Sequence, residues 1–407
     1  MRILHLHSTD NSRAAGGVLV MTRLHEELKR AGLDSRILCG TKTSGAADVS
    51  QIRRNVPLEG ALRRVTAQVG LNDIHAVSAF GVPDAPEFQA ADVLHIHGPH
   101  PNFFSYLALP KLTQRKPTIF TLHDMWALTG HCAVSYDCER WRTGCGKCPY
   151  PDATPAVRYD ATALDWRLKR WSYARSQFHV TAPSRWLAER ARQSMLGHLP
   201  VHYLPHGLDM AVYEPLDKAE CRRLLQLPAD KLVLMFAAVR LNQRSKGGDL
   251  LIKALQLLPE RLRRRMVLLL LGENAQELAC ATDIPVVGLG YIGNDHIKAI
   301  AYSAADLYVS PTRAEAFGLT LLESMACGTP LVTFNVGGVT ETVRPGETGY
   351  LARPEDPEDL CAGITALLYD DTARLRAGER CRAIAVAEYS LELQVQRYLE
   401  LYEQVAA

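Results

Sequence analysis

The sequence predicts an α/β protein made of two doubly wound parallel-sheet domains that face a central cleft. Three observations carry this. Short apolar runs alternate with longer amphipathic segments along the whole chain. The runs are continuous rather than alternating, which is how strands covered on both faces read. The 407 residues exceed what one ordinary core takes, so two domains of roughly 150–200 residues each are expected.

The elements follow in order. In the first half the strand candidates are residues 2–7, 35–39, 92–97, 118–123 and 178–182; in the second they are 231–239, 265–272, 284–289, 306–310 and 330–334. Helix candidates lie between them at 17–31, 184–195, 247–258, 294–303 and 318–327. The alternation pauses over "PSRWLAERARQSMLGHLPVHYLPHGLDMAVYEP", which holds four prolines, and a hinge is placed at about 200–215. The expected division is 1–200, with a cysteine-rich insertion at 130–150, then 201–385, then a terminal segment 386–407 whose "SLELQVQRYLELYEQVAA" reads as a helix.

Apolar content is 47%, charged content 22% and net charge +2. A dedicated nucleic-acid binder shows a basic excess that this chain lacks, so no nucleic-acid partner is expected. The opening "MRILHLHSTD" enters an apolar alternation directly, without the basic region and apolar stretch of a signal peptide. No run approaches eighteen apolar residues. The expected location is the cytoplasm, where thiols stay reduced and a dense cysteine cluster reads as metal-binding or redox before it reads as disulfides.

In open α/β sheets ligands bind beyond the carboxyl ends of the strands, so site residues are sought there. The densest signal is "RAEAFGLTLLESMACGTPLVTFNVGG". Glu315 follows a strand, and Phe317, Gly318 and Leu319 open a helix that Gly328 ends. Gly318 lets a ligand approach the backbone, and the helix N-terminus favours an anion. Glu323 lies eight residues after Glu315 on that helix. Spacing alone would suit two solvated glutamates. Gly16 and Gly17 open the first helix in the same way. His5, His7, His95, His97, His100 and His123 gather at strand ends of the first domain. They either line a ligand site or satisfy buried polar contacts.

"EAFGLTLLE" resembles the E-x7-E motif of retaining glycosyltransferases of the GT-B fold, family GT4. The remaining motifs agree in order. "GGVLVMTRLHEEL" resembles the N-terminal Gly-Gly loop and helix, and "TLHDMW" the segment of the cleft histidine. "PHGLDMAVYEP" resembles the linker signature with Tyr213 in place of Phe. "AAVRLNQRSKGGDLLIKAL" resembles the donor-phosphate region and "GLGYIGNDHI" the base-binding loop. The cysteine block is similar to a GT4 subgroup that includes the colanic-acid transferase WcaC and related exopolysaccharide enzymes.

The resemblance implies two Rossmann-like domains, acceptor-side first and nucleotide-sugar-binding second, with the terminal helix packing back toward the first. It implies sugar transfer with retention from a nucleotide-diphosphate donor, a UDP- or GDP-sugar, to a glycan or lipid-linked acceptor in polysaccharide biosynthesis. His123, Glu315, Arg240 and Lys246 are the implied catalytic set. Gly16, Gly17, Arg240, Lys246, Tyr291, Ile292, Glu315, Phe317, Gly318, Leu319 and Glu323 are the implied donor-binding set. The Arg240–Lys246 interval is six where five is usual, and Arg244 stands nearby. No D-x-D sits in a strand-end loop, and no catalytic metal is expected because two cations and a helix N-terminus can neutralise the diphosphate. A GT-B nucleotide-sugar epimerase and a non-catalytic nucleotide-sugar-binding scaffold are the alternatives.

"DWRLKRWSYAR" at 165–175 mixes Trp166, Trp171 and Tyr173 with Arg167, Lys169, Arg170 and Arg175. On a helix it suits either a peripheral membrane contact at the inner face or an ordinary helix with its tryptophans in the core. Cys132, Cys138, Cys145 and Cys148 have the spacing C-x5-C-x6-C-x2-C. The last pair is a knuckle that points two sulfurs at one ion, and a structural zinc site is the expectation; an iron–sulfur cluster, disulfides or free thiols are the alternatives.

Overall fold

The computed structural model describes residues 1–11 and 16–407. The chain divides into two compact units. Unit 1 is Met1–Pro205 with Gln394–Ala407, and unit 2 is His206–Leu393.

Unit 1 holds a seven-stranded parallel sheet: β1 (Arg2–Thr9), β2 (Asp34–Thr41), β3 (Val49–Gln51), β4 (Val93–His97), β5 (Thr118–Thr121), β6 (His179–Ala182) and β7 (Val201–Tyr203). Its order is β3-β2-β1-β4-β5-β6-β7. Unit 2 holds a six-stranded parallel sheet: β8 (Leu232–Arg240), β9 (Met266–Glu273), β10 (Val286–Gly288), β11 (Leu307–Ser310), β12 (Leu331–Phe334) and β13 (Gly349–Ala352). Its order is β10-β9-β8-β11-β12-β13. Each sheet therefore reverses its winding once, between β1 and β4 and between β8 and β11.

The continuous apolar runs are explained by the packing in unit 2. Successive side chains leave opposite faces of a strand. Val233, Met235 and Ala237 enter one core cluster, while Leu234, Phe236 and Ala238 enter the other. Val267, Leu269 and Leu271 likewise oppose Met266, Leu268 and Leu270. A strand buried on both faces has no polar position to alternate with.

Three short strands escape the sequence reading. β3, β7 and β13 are three or four residues long and only partly buried, so they carry too few apolar residues to register. The segment 386–407 is not one helix. Helices Asp371–Tyr389 and Leu391–Ala406 break at Ser390, which bridges Leu208. Residues 386–393 thus stay with unit 2, and only from Gln394 does the chain rejoin unit 1. There Tyr398 and Tyr402 are fully buried beside Ile3, Val93 and Ile119.

One buried ion cluster ties unit 2 together. Asp306 accepts from the Val233 amide at 2.8 Å, Arg222 Nη2 at 2.6 Å and Lys218 Nζ at 3.0 Å. Burial works to raise its pKa, but Lys218, the Val233 amide and Arg222 together carry it below the ordinary value. A carboxyl lowered on folding contributes stability above its unfolded pKa of about 3.9 and loses it as pH falls through the folded value. Asp306→Asn should therefore cost about 3 kcal/mol at pH 7 by stranding Arg222. In urea melts the gap to the parent should narrow at and below about pH 4; an equal gap at both pH values would contradict this account.

Candidate functional site

The predicted donor-site residues fall into two sets, one in each unit. In unit 2, Arg240 ends β8 and Glu315 lies five residues beyond β11. The two loops are stitched together. Thr312 Oγ1 and the Arg313 amide both donate to the Ser245 carbonyl, at 2.9 and 2.8 Å. Arg313 forks onto Asp249 at 2.7 Å from each nitrogen, and also bonds Glu355 and the Arg244 carbonyl. This geometry brings Lys246 Nζ to 2.7 Å from Glu315 Oε2. The two side chains are 32% and 24% exposed, so the pair is reachable from solvent.

Glycines set the close approaches. Gly247 has φ +70°, and a Cβ there would stand 1.8 Å from the Pro311 carbonyl oxygen. Gly337, at φ +57°, would meet the Glu315 carbonyl at 2.0 Å, while the Gly338 amide donates to that carbonyl at 3.0 Å. Gly318, at φ +93°, precedes helix Leu319–Ala326 without any side-chain cap. Its first amides keep the partial positive charge of an uncapped N-terminus. Arg240 is 68% exposed with Glu273 3.5 Å away. Lys246 and Glu315 are thus exposed near the start of this helix, and Arg240 is exposed at the end of β8; a helix N-terminus and such cations suit a polyanion such as a diphosphate.

Phe317 and Glu323 are placed differently from the other residues of the motif. Phe317 is buried, edge-on to His206 and near Tyr389. Glu323 is 3% exposed and accepts from Tyr302 Oη at 2.9 Å and Tyr213 Oη at 3.2 Å. Lys298 Nζ stands 3.9 Å from it. Glu323 thus lies beneath the surface that carries Glu315. Glu323 is four residues, about one turn, into helix Leu319–Ala326 and lies on the face turned to the core. Tyr213, read from sequence only as a departure from Phe, has one hydroxyl proton, shared between Glu323 and Asp295, the latter 2.9 Å away. Tyr291 and Ile292 lie in the loop after β10, with Ile292 against the core and Gly290 at φ +66°.

In unit 1 the set is Gly16, Gly17 and His123. Gly16 and Gly17 begin helix Gly16–Arg30. A Cβ on Gly17 would come 3.1 Å from the His123 ring, so the missing side chain lets the imidazole lie against the helix start. His123 sits two residues past β5 rather than at the strand's end. Behind it runs a row of imidazoles: His123 Nε2 to His97 Nδ1 at 3.3 Å, and His97 Nε2 to His5 Nδ1 at 3.1 Å. Burial holds His5 and His97 well below the ordinary imidazole pKa, so both are neutral. Among the described residues His5 Nε2 has no hydrogen-bond partner. If the row donated toward His5, that nitrogen would carry an orphaned buried N–H, the costlier defect. A row that donates outward, from His5 to His97 to His123, avoids this defect and would leave the His123 proton on Nδ1.

The histidines left open by the sequence now divide. His5, His95 and His97 are core residues, and their ligand atoms lie within 4.8 Å of one another. The nitrogens of His95 are taken by Tyr402 Oη and Thr121 Oγ1, both at 2.6 Å. With His97 bonded on both sides as well, the cluster reads as a hydrogen-bonded core. His7 is also buried, which lowers its pKa to about 4. His100 Nε2 pairs with Asp124 at 3.0 Å.

The helix Thr162–Tyr173 buries Trp166, Lys169 and Tyr173. Lys169 Nζ donates to the carbonyls of Trp126 and Thr129 at 2.8 and 3.0 Å and lies 3.8 Å over the Trp126 ring. It is a pillar under the segment after His123, a role hidden in sequence because a lysine among arginines reads as surface. Leu164, Arg167, Arg170, Trp171 and Arg175 stay exposed. Among the described residues no helix is long and apolar enough to cross a membrane.

Comparisons with known proteins agree with this architecture. Residues 14–212 match the family model described as Glycosyltransferase Family 4, and residues 217–383 match that of Glycosyl transferases group 1. The D-inositol 3-phosphate glycosyltransferase 1 of Catenulispora acidiphila is 35% identical over 251 residues, 55% of this chain and 58% of that one. The lipopolysaccharide core biosynthesis mannosyltransferase LpcC of Rhizobium leguminosarum bv. viciae is 31% identical over 236 residues, 53% of this chain and 66% of that one. The matches span about half the length of the first such relatives. Among solved structures, the sucrose-phosphate synthase of Thermosynechococcus elongatus superposes with a TM-score of 0.73 at 21% identity, covering 100% of this chain and 99% of that one. Anabaena HepE in complex with UDP-glucose does so at 0.70 and 17%, covering 99% and 100%. With both of its units matched, the chain belongs to the GT4-type glycosyltransferases and has their GT-B fold.

Proposed function

We propose that this chain transfers a sugar from a nucleotide-diphosphate donor, a UDP- or GDP-sugar, to a glycan or lipid-linked acceptor with retention of anomeric configuration. The observation that carries this reading is the Lys246–Glu315 pair beside the uncapped helix at Gly318. Arg240 and Lys246 would hold the leaving diphosphate as its charge grows. Glu315, oriented by Lys246 and by its own contact with the Ala316 amide at 3.1 Å, would bond the transferred sugar. Glu323 would act from beneath, through the hydroxyls of Tyr213 and Tyr302. His123, with its proton on Nδ1, would donate to a sugar hydroxyl. Solved structures of HepE contain UDP and UDP-glucose, and LpcC acts in lipopolysaccharide core biosynthesis; both support a nucleotide-sugar donor and a polysaccharide role. The exopolysaccharide subgroup is part of the proposal, as is contact with the inner face of a membrane through Leu164, Trp171 and the exposed arginines.

A panel of UDP-, GDP- and dTDP-sugars, assayed over a short exposure to EDTA and with and without acceptor, tests the reading. One donor should be consumed, without dependence on added Mg²⁺ or Mn²⁺, because protein cations hold the diphosphate. Interconversion of free donor without acceptor would favour an epimerase, and no turnover of any donor a scaffold. In the same assay Glu315→Gln should lower kcat by roughly 10²-fold or more in a folded protein.

The imidazole row makes a separate prediction. His97→Leu removes the donor that orients His123 and should lower kcat by roughly 10-fold or more with a smaller change in KM. His97→Asn places an amide N–H near the lost Nδ1 position and should recover part of the rate. Equal loss in both variants would mean that His97 only fills space.

A further inference from the structure

We propose that residues 129–149 form a zinc site in which one ion is bound by the thiolates of Cys132, Cys138, Cys145 and Cys148. Tertiary packing adds four observations to their spacing. All four cysteines, together with His131, line one cavity of about 20 Å³ to a water-sized sphere, room for about a single small particle. None of them is in a disulfide. The turn Cys145-Gly146-Lys147-Cys148 is already folded as a knuckle: Gly146 and Lys147 have φ of +124° and +46°, and Arg140 Nη1 donates to both of their carbonyls. The Gly130 amide donates to Cys145 Sγ at 3.2 Å, a contact that favours an anionic sulfur.

His131 stands beside this set. Its Nδ1 donates to the Pro155 carbonyl at 2.7 Å, and its Nε2 lies 3.3 Å from Cys148 Sγ. With Nδ1 donating, Nε2 accepts from the Cys148 thiol in the metal-free chain, and metal binding replaces that contact as the thiol loses its proton; the four thiols are the ligands. No three of the sulfurs are within 4.8 Å of one another. Binding must draw them in to the separations of roughly 4 Å that a tetrahedral ion with Zn–S near 2.3 Å sets, releasing their four protons to solvent.

The segment needs such a clamp. Between residues 129 and 149 only Cys132 and Trp141 are buried apolar side chains, too little to order a loop of this length. The loop also reaches the functional set. The Met125 amide donates to the Ala133 carbonyl at 3.0 Å, and the Ala133 amide to Thr154 at 2.7 Å. The chain two residues past His123 is therefore pinned to residue 133. The ion is thus structural and holds the His123 loop in place, a consequence that rests on the function proposed above; the metal site itself does not.

Elemental analysis of the full chain purified without added metal should find about one zinc per chain. Thiol titration should show four further reactive cysteines once a strong chelator is added, with a lowered Tm. Cys145→Ser and Cys148→Ser should lose the zinc, and His131→Ala should keep it. A zinc-free protein that takes up none when Zn²⁺ is supplied would overturn the site, as would a brown protein carrying iron. Zinc lost in His131→Ala but kept in Cys132→Ser would overturn the four-thiolate assignment. Since each readout is metal content or thiol reactivity, failure of the transfer reaction would leave the result standing.

Discussion

The constraint on which the site depends is the single reversal of winding in each sheet. Where β8 meets β11 the following connections leave in opposite directions, and the space above the strand ends stays open. Only there can an exposed lysine and an exposed glutamate stand beside an uncapped helix start without blocking the core below. In unit 1 the loop after β5 brings His123 against Gly17 at the start of helix Gly16–Arg30.

Electrostatics at the unit 2 edge is arranged in depth. Arg240, Lys246 and Glu315 face solvent, where their charges are hydrated and their side chains keep some freedom. Beneath them Glu323 is buried, and a buried carboxylate persists only with partners; Tyr213 and Tyr302 supply hydroxyls and Lys298 a nearby charge. Arg313 works the same way one loop over, since its fork onto Asp249 fixes the loop that presents Lys246. The exposed groups are free to meet a ligand because the buried ones already hold the backbone still.

Unit 1 uses neutral polar groups for the same end. Four histidines on β1 and β4 replace the apolar residues that such central strands normally carry, and burial keeps them uncharged. Hydrogen bonds among His5, His97 and His123, and those that join His95 with Tyr402 and Thr121, satisfy nearly all of them. The returning C-terminal helix is therefore more than a cover: its tyrosine hydroxyls bond His95, Thr121 and Thr181 in the core next to the row. Lys169, under Trp126, supports the next residues of that loop.

The repeating strand and helix pattern, the two-domain division, the cysteine spacing and the Glu315–Gly318–Glu323 run were all legible in the amino-acid sequence. They are local: burial on both faces writes continuous apolar runs, and a turn at positive φ writes a glycine. What only the tertiary structure decided is which partners meet. The contacts of Lys246 with Glu315, Arg313 with Asp249, and His95 with Tyr402 join residues 69, 64 and 307 positions apart, a separation no periodicity records. The depth of Glu323 and the burial of Lys169 belong here too. Whether a charge faces water or core depends on what packs over its helix, and that is settled by the sheet order rather than by the helix's own residues.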